Sequence, residues 1–150
     1  MRVEEATEAD VGALSQILGE VEAYYGGEDA VPGNPEQIQD ALFGPASAAT
    51  VLIARDDDGE ALGFASYSKL FPAAGADMSL FLKELFVRER ARRQGVGGQL
   101  MDAVEAAAAA VGSRLEWLAD VDNPAALAFY EARGARQSRG KVVYRVEVPR

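Results

Sequence analysis

The chain contains no cysteine and no histidine. Without cysteine there are no disulfides, thiol nucleophiles or thiolate metal sites. Without histidine as well, neither a Ser-His-Asp nor a Cys-His catalytic unit can be assembled. An enzyme of this composition must move protons with Glu, Asp, Tyr, Lys, backbone groups or water, and no metal is expected. No apolar run reaches the roughly 20 residues that a membrane span requires. The start, Met1-Arg2-Val3-Glu4-Glu5, carries no signal-peptide apolar region. The expected location is therefore cytoplasmic, with no membrane partner. Positive charge is also scarce: 15 Lys and Arg stand against 24 Asp and Glu, a net charge of -9. That balance argues against nucleic-acid binding, which usually shows as a basic patch on a basic domain. An acidic surface suits a cationic small molecule, and it serves solubility equally well.

What is present is enough apolar material for a core. Hydrophobic residues make up 49% of 150, which fits one domain spanning 1–150. A short strand is expected around Val3. Thr7 then caps a helix whose apolar positions are Val11, Leu14, Leu18, Val21 and Tyr25, stopped by Gly26-Gly27. A second helix starts at Asn34-Pro35-Glu36 and ends at Gly44-Pro45. Thr50–Arg55, Ala61–Leu70 and Met78–Val87 read as strands of an antiparallel meander, the first two joined by an Asp-Gly hairpin turn. Gly97–Val111 reads as a helix, Arg114–Asp120 as a strand, Pro124–Arg133 as a helix and Val142–Val148 as a closing strand. The fold class is α/β, a mixed, mostly antiparallel central sheet flanked by helices, in the order β-α-α-β-β-β-α-β-α-β.

One segment carries chemistry. Leu85-Phe86-Val87 ends a strand and Gly95-Val96-Gly97-Gly98 opens a helix, with Arg88, Arg90, Arg92 and Arg93 between them. A helix N-terminus leaves backbone N–H groups unpaired and carries partial positive charge. Glycines let a phosphate approach those groups without a Cβ in the way, and guanidiniums add charge-assisted bonds. Such a turn can hold a pyrophosphate. No Gly-Lys-Ser/Thr follows, so it is not a P-loop. Leu100 stands where a third glycine would complete the dinucleotide fingerprint. A tight strand-to-helix turn with solvated arginines is the alternative.

Arg92-Arg93-Gln94-Gly95-Val96-Gly97 resembles the Arg/Gln-x-x-Gly-x-Gly/Ala motif of the GNAT acetyltransferases. Asn123 to Ala135 resembles that family's second motif, Asn-x-x-Ala-x-x-Phe-Tyr-x-x-x-Gly-Phe/Ala, and the interval between the two fits one helix and one strand. The resemblance covers roughly residues 1–148. Within the family the strand Phe81–Val87 and the end of the chain look most similar to the diamine (spermidine-like) acetyltransferases.

The resemblance implies acetyl-CoA as cosubstrate. Its pyrophosphate would lie on the amides of Arg93, Gln94, Gly95, Val96, Gly97 and Gly98, near the Arg92 side chain. Its pantetheine arm would run along Leu85, Phe86 and Val87, with Asn123 in contact with it or with its neighbouring loop. The strand Glu116-Trp117-Leu118 would splay away to open a slot for the amine. Tyr130 matches the tyrosine that protonates the departing thiolate, and a phenol with a reference pKa of about 10 can donate at neutral pH. An ordinary core tyrosine is the other reading of that residue. The acid of the diamine branch aligns with Lys83, a departure; Glu84 is the neighbouring candidate base, and it reaches the substrate only if a bulge turns it. An exposed surface carboxylate or a water relay are the alternatives. Glu22, Tyr24, Tyr25, Glu28 and Asp29, at the end of the first helix, would meet an amine cation, with Glu116 and Trp117 across the slot. The expected activity is N-acetylation of a small primary amine by direct attack in a ternary complex, with a homodimer as the common assembly of relatives. A protein N-terminal or lysine acetyltransferase and a CoA-binding module without transfer activity are the alternatives.

Overall fold

The structure, a computed structural model, describes residues 1–27 and 31–150; Glu28 and Asp29 lie outside the described residues. Two compact units are distinguished, Met1–Trp117 and Leu118–Arg150.

In the first unit the strands are β1 (Arg2–Glu5), β2 (Ala49–Arg55), β3 (Ala61–Leu70), β4 (Ser79–Val87) and β5 (Arg114–Trp117), in the order β1-β2-β3-β4-β5. β1 to β4 pair antiparallel and β4 to β5 parallel. The parallel step needs a crossover, supplied by α3 (Val96–Val111). Helices α1 (Val11–Tyr24) and α2 (Pro35–Phe43) lie between β1 and β2 in the chain.

Strand alternation sorts the core into two layers. Val51, Ile53, Ala61, Phe64 and Phe86 pack with Leu14, Ile17 and Val21 of α1 and Ile38 of α2. Their strand neighbours Leu52, Ala54, Ala65, Leu80 and Leu82 are buried on the opposite face, where α3 contributes Leu100, Met101 and Val104 at 1% exposure or less.

The helix boundaries follow local chemistry. Asn34 Oδ1 accepts from the Glu36 and Gln37 N–H groups at 2.9 and 3.2 Å, capping α2. At the end of α1, Gly26 N donates to Ala23 O (3.3 Å) and Gly27 N to Glu22 O (2.9 Å), with Gly26 at φ 99°. That is the paired bonding of a Schellman stop, and the left-handed residue is a glycine because a Cβ is penalised there.

In the second unit α4 (Pro124–Ala132) is the regular element, and Asn123 Oδ1 caps it by accepting from Ala126 N at 3.2 Å. The closing strand expected at Val142–Val148 is not formed. Residues 141–150 adopt no strand, and Val142, Val143, Tyr144, Val146 and Val148 are all at least 63% exposed. An alternating apolar pattern supplies only propensity; a strand also requires a ladder of bonds with a neighbour. The strand expected to reach Asp120 stops at Trp117, where its pairing with β4 ends at Leu82, and the chain then turns, with Asn123 N donating to Asp120 O (3.1 Å). No described helix is long and apolar enough to cross a membrane.

Candidate functional site

The glycine segment is a strained turn seated on a buried helix end. A single-turn helix, Glu89–Ala91, follows β4. Arg93 then adopts φ 63° and Gly95 φ 81° before α3 begins at Val96. A left-handed arginine costs on the order of 1–3 kcal/mol, and such a turn directs successive N–H groups toward a common side, as anion nests do. Val96 at 2% and Leu100 at 0% exposure anchor the helix beneath it, while Gly97 and Gly98 are half-buried in its first turn. The residues present therefore fit a phosphate-bearing group: a left-handed approach, glycines in the first turn and the N-terminus of a 16-residue helix.

The arginines divide. Arg90 and Arg93 are exposed. Arg88 is held by α1: its Nε and Nη2 donate to Glu20 Oε1 and Oε2 at 3.0 and 2.7 Å, and Nη1 donates to Ala61 O at 3.4 Å. Arg92 Nε donates to Val87 O (3.0 Å), and its guanidinium lies 5.1 Å from the Tyr24 ring centre and 5.5 Å from that of Phe86. Both of these arginines tie the turn to neighbouring elements, a role that the sequence pattern does not reveal; Glu20 carries no signal, since its partner is 68 residues away.

On β4 the register settles which way Glu84 faces. Ser66 pairs with Glu84 and Tyr67 with Leu82, so Lys83 is the extra residue of a β-bulge. Uninterrupted alternation from Phe81 would have placed Lys83 and Leu85 on the α1 face. The bulge puts Glu84 there with Phe86, and Tyr25 Oη donates to Glu84 Oε1 at 3.3 Å. Tyr24 meets Tyr25 edge-on at 5.1 Å and Phe86 at 6.0 Å. Glu84, Tyr24, Tyr25, Phe86 and Arg92 are thus brought into one cluster. Glu22 is exposed on α1. Pairing with β5 runs from Ser79↔Arg114 to Leu82↔Trp117; β4 continues past it to Val87, so Leu85, Phe86 and Val87 lie beyond the ladder with β5. Glu116 is exposed opposite Phe81, and Trp117 is half-buried.

Asn123 and Tyr130 belong to the second unit. Asn123 caps α4. Tyr130 is half-buried on α4 with its ring 5.3 Å from that of Phe129, over which Arg133 lies at 5.9 Å. Among the described residues no group of three or more Asp and Glu is arranged to hold a metal ion.

The family model described as "Acetyltransferase (GNAT) family" matches residues 15–135. The uncharacterized N-acetyltransferase YhfO of Bacillus subtilis (strain 168) is 25% identical over 150 residues, covering 99% of each chain. The L-ornithine N5-acetyltransferase NATA1 of Arabidopsis thaliana is 35% identical over 75 residues, 49% of this chain and 33% of that protein. Among solved structures, an integron cassette protein from the mobile metagenome of V. cholerae is similar with a TM-score of 0.81 at 32% identity, covering 98% of this chain and 92% of its own.

Proposed function

The chain belongs to the GNAT acetyltransferase family, and on that footing we propose that it is an acetyl-CoA-dependent N-acetyltransferase whose acceptor is a small primary amine of the diamine, amino acid or amino-sugar type. Acetyl-CoA, the acetyl donor of the family, supplies an activated thioester. Its pyrophosphate is assigned to the amides of residues 93–98, and its pantetheine arm to the edge of Leu85, Phe86 and Val87 with Asn123.

The observation that carries the acceptor reading is the bulge at Lys83, which turns Glu84 toward the aromatic end of α1. A carboxylate among tyrosine rings favours an ammonium ion by charge and by cation–π attraction. Glu84, directly or through one water, takes the proton that the amine loses, so that nitrogen can form its bond to the acetyl carbon. Tyr130 gives its phenolic proton to the thiolate released as the C–S bond breaks. Holding both substrates together contributes the rest of the rate. Glu22, Tyr24, Tyr25, Glu116 and Trp117 are assigned to the acceptor side. The ornithine acceptor named for NATA1 is a small cationic amine of this class, and the diamine-acetylating branch remains the nearest reading within the family.

Thiol release from acetyl-CoA, measured with a diamine, ornithine, an aminoglycoside and a basic peptide, tests this for the wild type and Tyr130→Phe. Turnover is expected with at least one of the three small amines. Tyr130→Phe, which keeps the ring, is expected to lose about 10²–10⁴ in rate with little change in acetyl-CoA binding. Turnover with the peptide alone would replace the acceptor class. Binding without any turnover would leave a CoA-binding module, and undiminished rate in Tyr130→Phe would return that residue to a packing role.

A further inference from the structure

Two features of the Glu84 environment are not required by general acid–base chemistry alone. The first is that its partner Tyr25 sits at a mechanically defined point. Tyr25 is the last residue before the Schellman stop; its N–H bonds Val21 O at 3.1 Å, and the Gly26 and Gly27 bonds close the turn behind it. The second is that its ring is braced in series. Tyr25 packs edge-on against Tyr24, Tyr24 against Phe86, and Arg92 covers both Tyr24 and Phe86 while bonding Val87 O. Phe86 is the next residue after Glu84 on the same face of β4. The hydroxyl and the carboxylate are therefore both referred to the same rigid end of β4, and the brace runs through the turn assigned to the cofactor.

We propose that Tyr25 is a positioning residue for the base: its hydroxyl donates to Glu84 Oε1 and so sets the direction in which the carboxylate meets the amine. The proposal rests on the reading of Glu84 as base. A carboxylate on a free side chain spreads over several rotamers, and proton transfer needs one of them within hydrogen-bond reach of the reacting nitrogen. A donor on one oxygen selects that rotamer and stabilises the charged form. The bulge chooses the face that Glu84 occupies, and Tyr25 chooses the direction of its side chain. Arg92, by bracing Tyr24, places the cofactor turn and the acceptor end of α1 on one support.

Tyr25→Phe removes the donor and keeps the edge-on packing; an unchanged thermal midpoint checks the fold. Two measurements test it. The first needs no acceptor: the titration of the Glu84 carboxyl followed by carbon-13 NMR in the wild type and in Tyr25→Phe. Among the described residues, charged and titratable groups on the surrounding elements include Glu22 and Tyr24 on α1, Lys83 on β4, Glu116 on β5 and Arg92 in the turn, with neutral Ser66 across on β3. All are common to both proteins, so a change reads the hydroxyl. The midpoint is expected to rise by about half a pH unit in Tyr25→Phe; an unmoved midpoint overturns the proposal. The second is a cycle with Glu84→Gln, using whichever amine of the four above turns over fastest. Tyr25→Phe should lower kcat about tenfold with the KM for acetyl-CoA unchanged, and it should cost nothing further in the Glu84→Gln background. Equal losses in both backgrounds mean that Tyr25 does not act through Glu84, and positioning fails while the base reading stands. A Glu84→Gln enzyme with wild-type kcat removes the base reading itself, and the positioning role with it.

Discussion

Asp10 keeps a charge in a place where burial alone would remove it. The residue is only 7% exposed, and burial pushes its carboxyl upward. Hydrogen bonds and charge outweigh that effect: Thr7 N donates to Oδ2 at 2.8 Å and Arg55 Nη2 to Oδ1 at 2.5 Å, so the carboxyl titrates below the usual aspartate range. Arg55 also binds Glu4 at 2.6 Å, linking β1, β2 and the entry to α1. A carboxyl whose pKa is lower in the folded than in the unfolded state contributes stability above the unfolded value of about 3.9, and loses it as the pH falls through the folded value. Asp10→Asn keeps the shape and an acceptor but not the charge. It is expected to cost about 2 kcal/mol at neutral pH in urea unfolding. The gap between variant and wild type should narrow as the pH drops below about 3.9. A gap independent of pH would mean that the charge of Asp10 contributes nothing and that the loss comes from replacing one of its two acceptor oxygens, which meet Thr7 N and Arg55 Nη2, with an NH2 donor. At this scale the sequence is informative where partners are near in the chain: Thr7 with an acid three residues on reads directly as a capping pair. Arg55, 45 residues from Asp10, does not.

The element proposed to hold the cofactor's pyrophosphate is α3, and its first turn is where a single side chain can be made to collide with an anion. Gly97→Glu would put both bulk and negative charge against the amides assigned to the pyrophosphate. Calorimetry should then show CoA affinity falling at least tenfold, about 1.4 kcal/mol, while the melting curve shows a folded protein. Unchanged affinity in that folded variant would take the anion site away from this turn. The helices and their stops are legible because caps are local chemistry: Asn34 bonds two and three residues on, Asn123 three residues on, and Gly26-Gly27 close back onto Ala23 and Glu22. The bulge is not. Nothing in Ser79–Val87 marks Lys83 as the extra residue, since its register is set by pairing with β3, and a shift of one residue exchanges the two faces of a strand. The direction of Glu84 therefore depends on the sheet. Val142–Val148 illustrates the opposite failure, in which a strong alternating pattern reads as a strand although strand formation depends on a neighbour that the pattern does not name.

At the scale of the whole molecule, charge is unevenly distributed along the chain. It is acidic overall, at net -9, yet Arg88, Arg90, Arg92 and Arg93 are concentrated in the short stretch between β4 and α3. An anionic cofactor and a cationic acceptor would be drawn to different parts of one surface, and each attraction is screened by salt. The cofactor side can be held constant by saturating acetyl-CoA, which isolates the acceptor. Raising ionic strength from about 0.01 M to about 0.15 M shortens the screening length from about 30 Å to about 8 Å. For a diamine carrying two positive charges, kcat/KM should fall by about three- to tenfold over that range. For a zwitterionic amino acid with no net charge it should change by less than about twofold. The comparison needs both acceptors, because salt acting on the fold or on the chemistry would move them together. Parallel changes would show that the acidity of the chain does not act on its acceptor, and its role would then reduce to keeping the protein in solution.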